Sequence, residues 1–64
     1  MVRASLVWKW HSGLTGEFWY TLVNTGCYLL DNTPMGKTPG EARRNLAALN
    51  GRRKRLGLPL IVVN

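Results

Sequence analysis

Few residues of this 64-residue chain are of types that do acid–base, nucleophilic or metal-binding chemistry. They are one histidine, one cysteine and three carboxylates: His11, Cys27, Glu17, Asp31 and Glu41. Covalent catalysis needs a nucleophile beside a base and an orienting group, and a reactive thiol needs a charged neighbour that lowers its pKa. A zinc site needs several His or Cys ligands. The sequence therefore predicts a protein that is not an enzyme and that has no catalytic residues, no metal site and no cofactor.

Positive charge is concentrated in the second half of the chain. The formal net charge is +6; residues 1–32 carry two cations and two carboxylates, whereas residues 33–64 carry seven cations and one carboxylate. Such a one-sided display favours a polyanionic partner, with nucleic acid first and an acidic protein surface second. We expect no membrane partner, because a membrane-surface helix needs a wide face of bulky apolar residues. With no signal peptide, no apolar run of ~20 residues and a single cysteine, the protein is predicted to be cytoplasmic, in its own cell or in a host cell.

A helix predicted over residues 39–56 positions most of these cations. Thr38 is the expected N-cap, Pro39 occupies the first turn, and Glu41 completes the spacing of a capping box. Gly51 leaves open an interruption of the helix. We expect a continuous helix that stops at Gly57.

The predicted helix has an apolar stripe and a cationic side. At ~100° per residue, the stripe contains Ala42, Leu46, Leu49 and Leu56, although Arg53 also falls within it. The opposite side contains Arg43, Arg44, Lys54 and Arg55. The run from Arg52 to Arg55 exceeds what a helix C-terminus needs to complement its dipole, so phosphate contact is the favoured interpretation.

Lys37 is a second kind of phosphate-binding candidate. Gly36-Lys37-Thr38 resembles the end of a P-loop, but the first glycine of that motif would fall at Asp31, so we expect no nucleotide hydrolase. A lysine beside a helix N-terminus is nevertheless well placed for a backbone phosphate.

Three strands are predicted before the helix, over residues 4–10, 17–23 and 27–31. The first alternates in polarity, the second is aromatic and β-branched, and Asn24-Thr25-Gly26 predicts a tight turn with a left-handed glycine before the third. Residues 58–63 are apolar and predict an edge strand or an extended tail. The sequence therefore predicts one α+β domain over residues 1–64: a three-stranded antiparallel sheet packed on one C-terminal helix, with a short apolar C-terminal segment.

Aromatic residues are predicted on both faces of this sheet. Trp8 and Trp10 share one face of their strand, and Trp19 lies on the face opposite Phe18 and Tyr20. One helix covers one face, so we expect an exposed aromatic surface flanked by Arg3 and Lys9, suited to stacking, groove insertion or a protein interface. The alternative is that the apolar tail covers this surface.

Several segments together resemble the β-β-β-α DNA-binding domains of plant ethylene-response factors, homing-endonuclease relatives and the arm-binding part of phage integrases. The similar pieces are Phe18-Trp19-Tyr20, Asn24-Thr25-Gly26, Thr38-Pro39-Gly40-Glu41-Ala42, Ala47-Ala48-Leu49-Asn50 and Gly57 to Asn64. The resemblance implies a sheet that enters the major groove, where Arg and Trp read bases. The predicted strands 17–23 and 27–31 lack Arg and Lys, so the substitutes would be Arg3, Lys9, Trp8, Trp10 and Trp19.

The leading hypothesis is a small basic, non-enzymatic nucleic-acid-binding protein of phage or mobile-element type, with double-stranded DNA as the favoured ligand. The alternative is an inhibitor or regulator that binds a host protein through the basic helix and an exposed aromatic sheet face. The same cations would suit an RNA ligand, so RNA binding stays an open alternative. The apolar C-terminal segment is compatible with a homodimer.

Overall fold

One helix packs on one face of a four-stranded mixed sheet in the computed structural model, which describes residues 1–13 and 16–63. The order in the sheet is β3-β2-β1-β4, with antiparallel β1–β2 and β2–β3 pairs and a parallel β1–β4 pair. The elements are β1 (Val2–His11), β2 (Glu17–Val23), β3 (Thr33–Gly36), α1 (Pro39–Arg55) and β4 (Ile61–Val63). The α+β class is as predicted, whereas the sheet has one strand more than predicted and is not purely antiparallel.

The hairpin of β1 and β2 forms the centre of the sheet. Its register pairs Leu6 with Leu22, Trp8 with Tyr20 and Trp10 with Phe18, so the predicted alternation of faces is confirmed. β1 starts two residues earlier than predicted and ends one residue later. The predicted reversal between the strands includes residues 14 and 15, which lie outside the described residues.

The predicted third strand over residues 27–31 is wrong. The N–H groups of Leu30 and Asp31 both donate to the carbonyl of Cys27 at 3.0 Å, so this segment forms turns. The Asp31 carboxylate accepts from the backbone N–H and the hydroxyl of Thr25, and these hydrogen bonds lower the pKa of Asp31 below its ordinary value of 3.8. Gly26 is left-handed as predicted, with φ of 76°. The chain returns to the sheet only at β3.

Helix α1 begins at Pro39 as predicted, ends at Arg55, one residue before the predicted end, and is continuous through Gly51. The hydroxyl of Thr38 accepts from the N–H of Glu41 at 3.1 Å. At the C-terminus, the N–H of Gly57 donates to Lys54 and that of Leu58 to Arg53, which is the pattern of a Schellman motif with Gly57 at φ of 73°.

The core lies between α1 and the face of the sheet that carries Leu22. Leu46 and Leu49 are partly buried against it, as the apolar stripe predicts. Leu56 is 74% exposed, so its predicted place in the stripe is wrong: it is the C-cap, where the helix has ended. The buried apolar residues are Ala4, Leu22, Met35, Ala42 and Ile61.

Two asparagines tie the helix to the two edge strands. The side-chain amide of Asn45 donates to the carbonyl of Met35 in β3. Asn50 donates to the carbonyl of Ile61 in β4 and accepts from its N–H, both at 2.8 Å. The predicted edge strand in the C-terminal segment is confirmed. The backbone N–H and carbonyl of Ile61, which face away from the sheet, find their hydrogen-bond partner in the helix. A homodimer through this edge stays a prediction; pairing at Ile61 would have to displace Asn50.

Asn50→Ala should destabilise the protein by about 1–2 kcal/mol, because both backbone groups of Ile61 lose their partner. Asn50→Asp keeps the acceptor for the N–H of Ile61 and removes the donor to its carbonyl, so we expect destabilisation by this variant too. Denaturant unfolding followed by circular dichroism measures both changes. An unfolding midpoint of Asn50→Ala equal to that of the parent protein would contradict this role.

Within residues 1–13 and 16–63, no helix combines the length and the apolar character needed to cross a membrane.

Candidate nucleic-acid interface

Five exposed cations lie in two groups toward the two ends of α1, and together we call them the cationic helix surface. At ~100° per residue they cover about half of the helix circumference, while the 17-residue helix is about 25 Å long. None of the five side chains makes an ion pair or a hydrogen bond with another of the described residues. Their charges therefore remain available to an external anion. The five are Arg43, Arg44, Arg52, Lys54 and Arg55.

Arg53 belongs to the predicted cation run but not to this surface. It is half-buried on the side of the helix that faces the C-terminal segment. Its Nε donates to the carbonyl of Pro59 at 2.7 Å. A cation therefore fits within the apolar stripe, because its guanidinium holds the chain that leads to β4.

Lys37 is engaged by the protein itself, which weakens its predicted role at a phosphate. Its Nζ lies 2.7 Å from a carboxylate oxygen of Glu17 and donates to the carbonyl of Phe18 at 2.7 Å. The same ammonium lies 4.4 Å from the ring centroid of Trp19, within the range of a cation–π contact. A phosphate would have to compete with all three contacts.

Arg3, Lys9 and Trp19 lie on the sheet face away from the helix. Arg3 alternates with the buried Ala4 and is exposed. The ammonium of Lys9 donates to the side-chain carbonyl of Asn32. Trp19 is half-buried, and its Nε1 is a buried donor without a partner among the described residues. The structure therefore separates these three predicted site residues from the cationic helix surface.

Exposed aromatic rings lie on the helix side of the sheet instead, beyond the first turn of α1. Trp8 and Trp10 are each 51% exposed and Phe18 is 43% exposed. Phe18 contacts both tryptophans, with ring centroids 5.7 Å from Trp8 and 5.3 Å from Trp10. Tyr20, half-buried, contacts Trp8 at 4.8 Å. We call these four residues the aromatic patch.

A cleft of about 460 Å³ joins the aromatic patch to the helix. Tyr20 lies on one wall and Arg43 on the other, so the patch and the cationic helix surface meet there. The expected exposed aromatic surface exists, but its place was predicted wrongly: it is not the face that Arg3 and Lys9 flank. The residues lining the cleft are Leu6, Tyr20, Pro39, Arg43, Leu46 and Val63.

Sequence reasoning left Phe18 and Tyr20 out of the candidate site, and it did not identify Asn45 and Asn50 as helix tethers. The alternation of β2 places both aromatic residues opposite Trp8 and Trp10, which was a usable signal. The asparagines fall on the two flanks of the apolar stripe, at about 300° and 80° from Ala42. Polar amides at such positions suit contacts with strand edges.

The candidate base, His11, has a structural hydrogen-bond partner, and the candidate nucleophile, Cys27, is a free thiol. His11 Nε2 lies 2.7 Å from the hydroxyl of Thr21, which itself donates to the carbonyl of Trp19 at 2.9 Å. Because that hydroxyl uses its proton on the carbonyl, Nε2 is the donor to it. Cys27 is a half-buried free thiol. Within residues 1–13 and 16–63, no three His, Cys, Asp or Glu side chains lie close enough to hold a metal ion.

The resemblance to β-β-β-α DNA-binding domains stays a prediction. β2 and β3 carry no Arg or Lys; five exposed cations lie on the helix, and those on the sheet are Arg3 and Lys9 of β1. Comparison of the chain with protein-family models, with curated proteins and with solved structures found no match.

Proposed function

We propose that this protein is a small non-enzymatic nucleic-acid-binding protein that holds backbone phosphates on its cationic helix surface. One observation carries the proposal: five exposed cations on one helix have no partner among the described residues. A cation gains most from a phosphate when it does not first have to leave a protein carboxylate.

The spacing of these cations also supports a polyanion over an isolated anion. They extend from Arg43 to Arg55, which is most of the ~25 Å length of α1. Duplex DNA has a phosphate every ~3.4 Å along each strand, so several cations can contact phosphates at the same time. A single small anion would use one or two of them.

The salt dependence of binding tests this mechanism. If the five cations neutralise about five phosphates, the logarithm of the association constant should fall with the logarithm of salt concentration at a slope of about −4 to −5. Fluorescence anisotropy of a labelled duplex, titrated with protein at several KCl concentrations, measures the slope. A slope shallower than about −1 would overturn the proposal.

The second candidate is a regulator that binds an acidic protein surface. The observation that favours it is the exposed aromatic patch beside Arg43, because aromatic and Arg side chains are frequent anchors of protein interfaces. Absence of any salt-dependent binding to nucleic acid would leave this candidate as the better one.

A further inference from the structure

The aromatic patch is unusual because it lies beside the helix that should bury it. Trp8 and Trp10 follow Ala4 and Leu6 on the helix side of β1, yet about half of each indole surface is open. The first turn of α1 reaches only as far as Leu6 and Tyr20, where Pro39 and Arg43 line the cleft. Of the described residues in the C-terminal segment, Val63 lines the cleft beside Tyr20, but β4 pairs with the other end of β1, at Val2–Ala4, away from Trp8 and Trp10.

The rings of the patch are held in place by one another. Trp8 and Phe18 stack with an angle of 11° between their planes, and Trp10 meets Phe18 at 66°. Both tryptophans project from a paired strand, where alternate residues are ~6.8 Å apart. Rings that are already fixed lose little conformational entropy when a flat ligand stacks on them.

We propose that the aromatic patch stacks unpaired bases, so that the nucleic acid bound by this protein is single-stranded where it crosses the patch. The proposal rests on the proposed function, because the cationic helix surface supplies the phosphate contacts of the same strand. Bases within a duplex are covered on both faces by neighbouring base pairs. An open indole face can therefore stack fully only on a base that has left the duplex.

Charge complementarity favours a nucleic acid strand over an apolar partner at this patch. Arg43 lines the cleft that Tyr20 also lines, and Tyr20 contacts Trp8, so a base stacked on Trp8 would have its phosphate near Arg43. Strand-binding proteins combine these two features: a cationic groove for the backbone and aromatic rings for the bases.

Matched single strands test the proposal. The probes are an oligothymidylate of about twelve nucleotides, an abasic strand of the same length, and a duplex of the same length. We expect the oligothymidylate to bind about 5- to 150-fold more tightly than the abasic strand for each stacked base, and more tightly than the duplex. Tryptophan emission should be quenched by the oligothymidylate and not by the abasic strand.

Two variants assign the effect to the patch. Trp8→Leu combined with Trp10→Leu should lose most of the preference for the oligothymidylate over the abasic strand, with an unchanged salt slope for the abasic strand. Tyr28→Leu is the matched control, because Tyr28 is 85% exposed and lies in the segment between β2 and β3, outside the patch. It should keep the full preference of the parent protein for bases.

The outcomes separate the two proposals. Equal affinity of the parent protein for the oligothymidylate and the abasic strand, or tighter binding of the duplex, would overturn base stacking and leave phosphate binding in place. If the protein bound none of the three probes, the proposed function would be overturned, and base stacking with it. These comparisons use the parent protein alone, so they hold even if the tryptophan variants fail to fold.

Discussion

Replacing Arg44, Arg52 and Arg55 together with glutamine should weaken binding to duplex DNA about 10²- to 10³-fold in about 0.1 M salt. Each phosphate neutralised on a duplex contributes about 0.9 to the salt slope, which corresponds to nearly tenfold in affinity at this salt concentration. The three guanidinium groups are exposed and have no partner among the described residues, so their loss should leave the fold intact. The salt slope should become shallower by about 2.7.

A second triple variant separates the position of the charge from its amount. Arg3→Gln, Lys9→Gln and Lys37→Gln together also lower the formal charge from +6 to +3. Arg3 and Lys9 lie on the face away from the helix, and Lys37 is paired with Glu17, so this variant should keep most of the slope of the parent protein. Equal losses in the two variants would show that affinity follows net charge alone, and the cationic helix surface would lose its special role.

The third strand shows where local pattern fails to predict the fold. Residues 27–30 have the composition of a strand, yet they form turns because Thr25 and Asp31 close the segment by side-chain hydrogen bonds. β3 contains Pro34 and has the composition of a loop. Pro34 lies in an edge strand opposite Thr21, where the register between β2 and β3 shifts, and edges and irregular pairings are the places where a sheet tolerates proline. Strand identity in this region depends on position within the sheet, which local sequence does not encode.

The candidate site was predictable where helical periodicity decided it. The exposed positions of Arg43, Arg44, Lys54 and Arg55 follow from the placement of the apolar stripe. Contacts over long sequence separation were not predictable in this way. Lys37 is less available to a phosphate because it forms an ion pair with Glu17, which is twenty residues earlier in the chain.

The exposed tryptophans illustrate the same limit. Alternation along β1 places Trp8 and Trp10 on one common face, which is confirmed, and in the structure this face is the helix side. It does not say how far along the sheet the helix reaches. That distance depends on where the first turn of α1 lies against β3, and the two come very close at Gly36.

Gly36→Ala should destabilise the protein by about 2–3 kcal/mol. A Cβ at this position would lie 2.8 Å from the backbone N of Ala42 and 3.0 Å from the Cβ of Glu41. Backbone cannot move aside as a flexible side chain does, so the first turn of α1 would have to lift from β3. Ala42 is fully buried in the core, and lifting the helix there would open a gap beneath it. Denaturant unfolding measures the loss.

The matched control is Gly51→Ala, the same chemical change at a helical position with open space around it. It should stabilise the protein by about 1 kcal/mol, because alanine has the higher helix propensity and meets no neighbour. Opposite signs for the two substitutions would locate the close contact at the start of the helix. If Gly36→Ala unfolded at the same denaturant concentration as the parent protein, the helix could not be pressed against β3 at this point. The boundary between the helix and the aromatic patch would then need a different explanation.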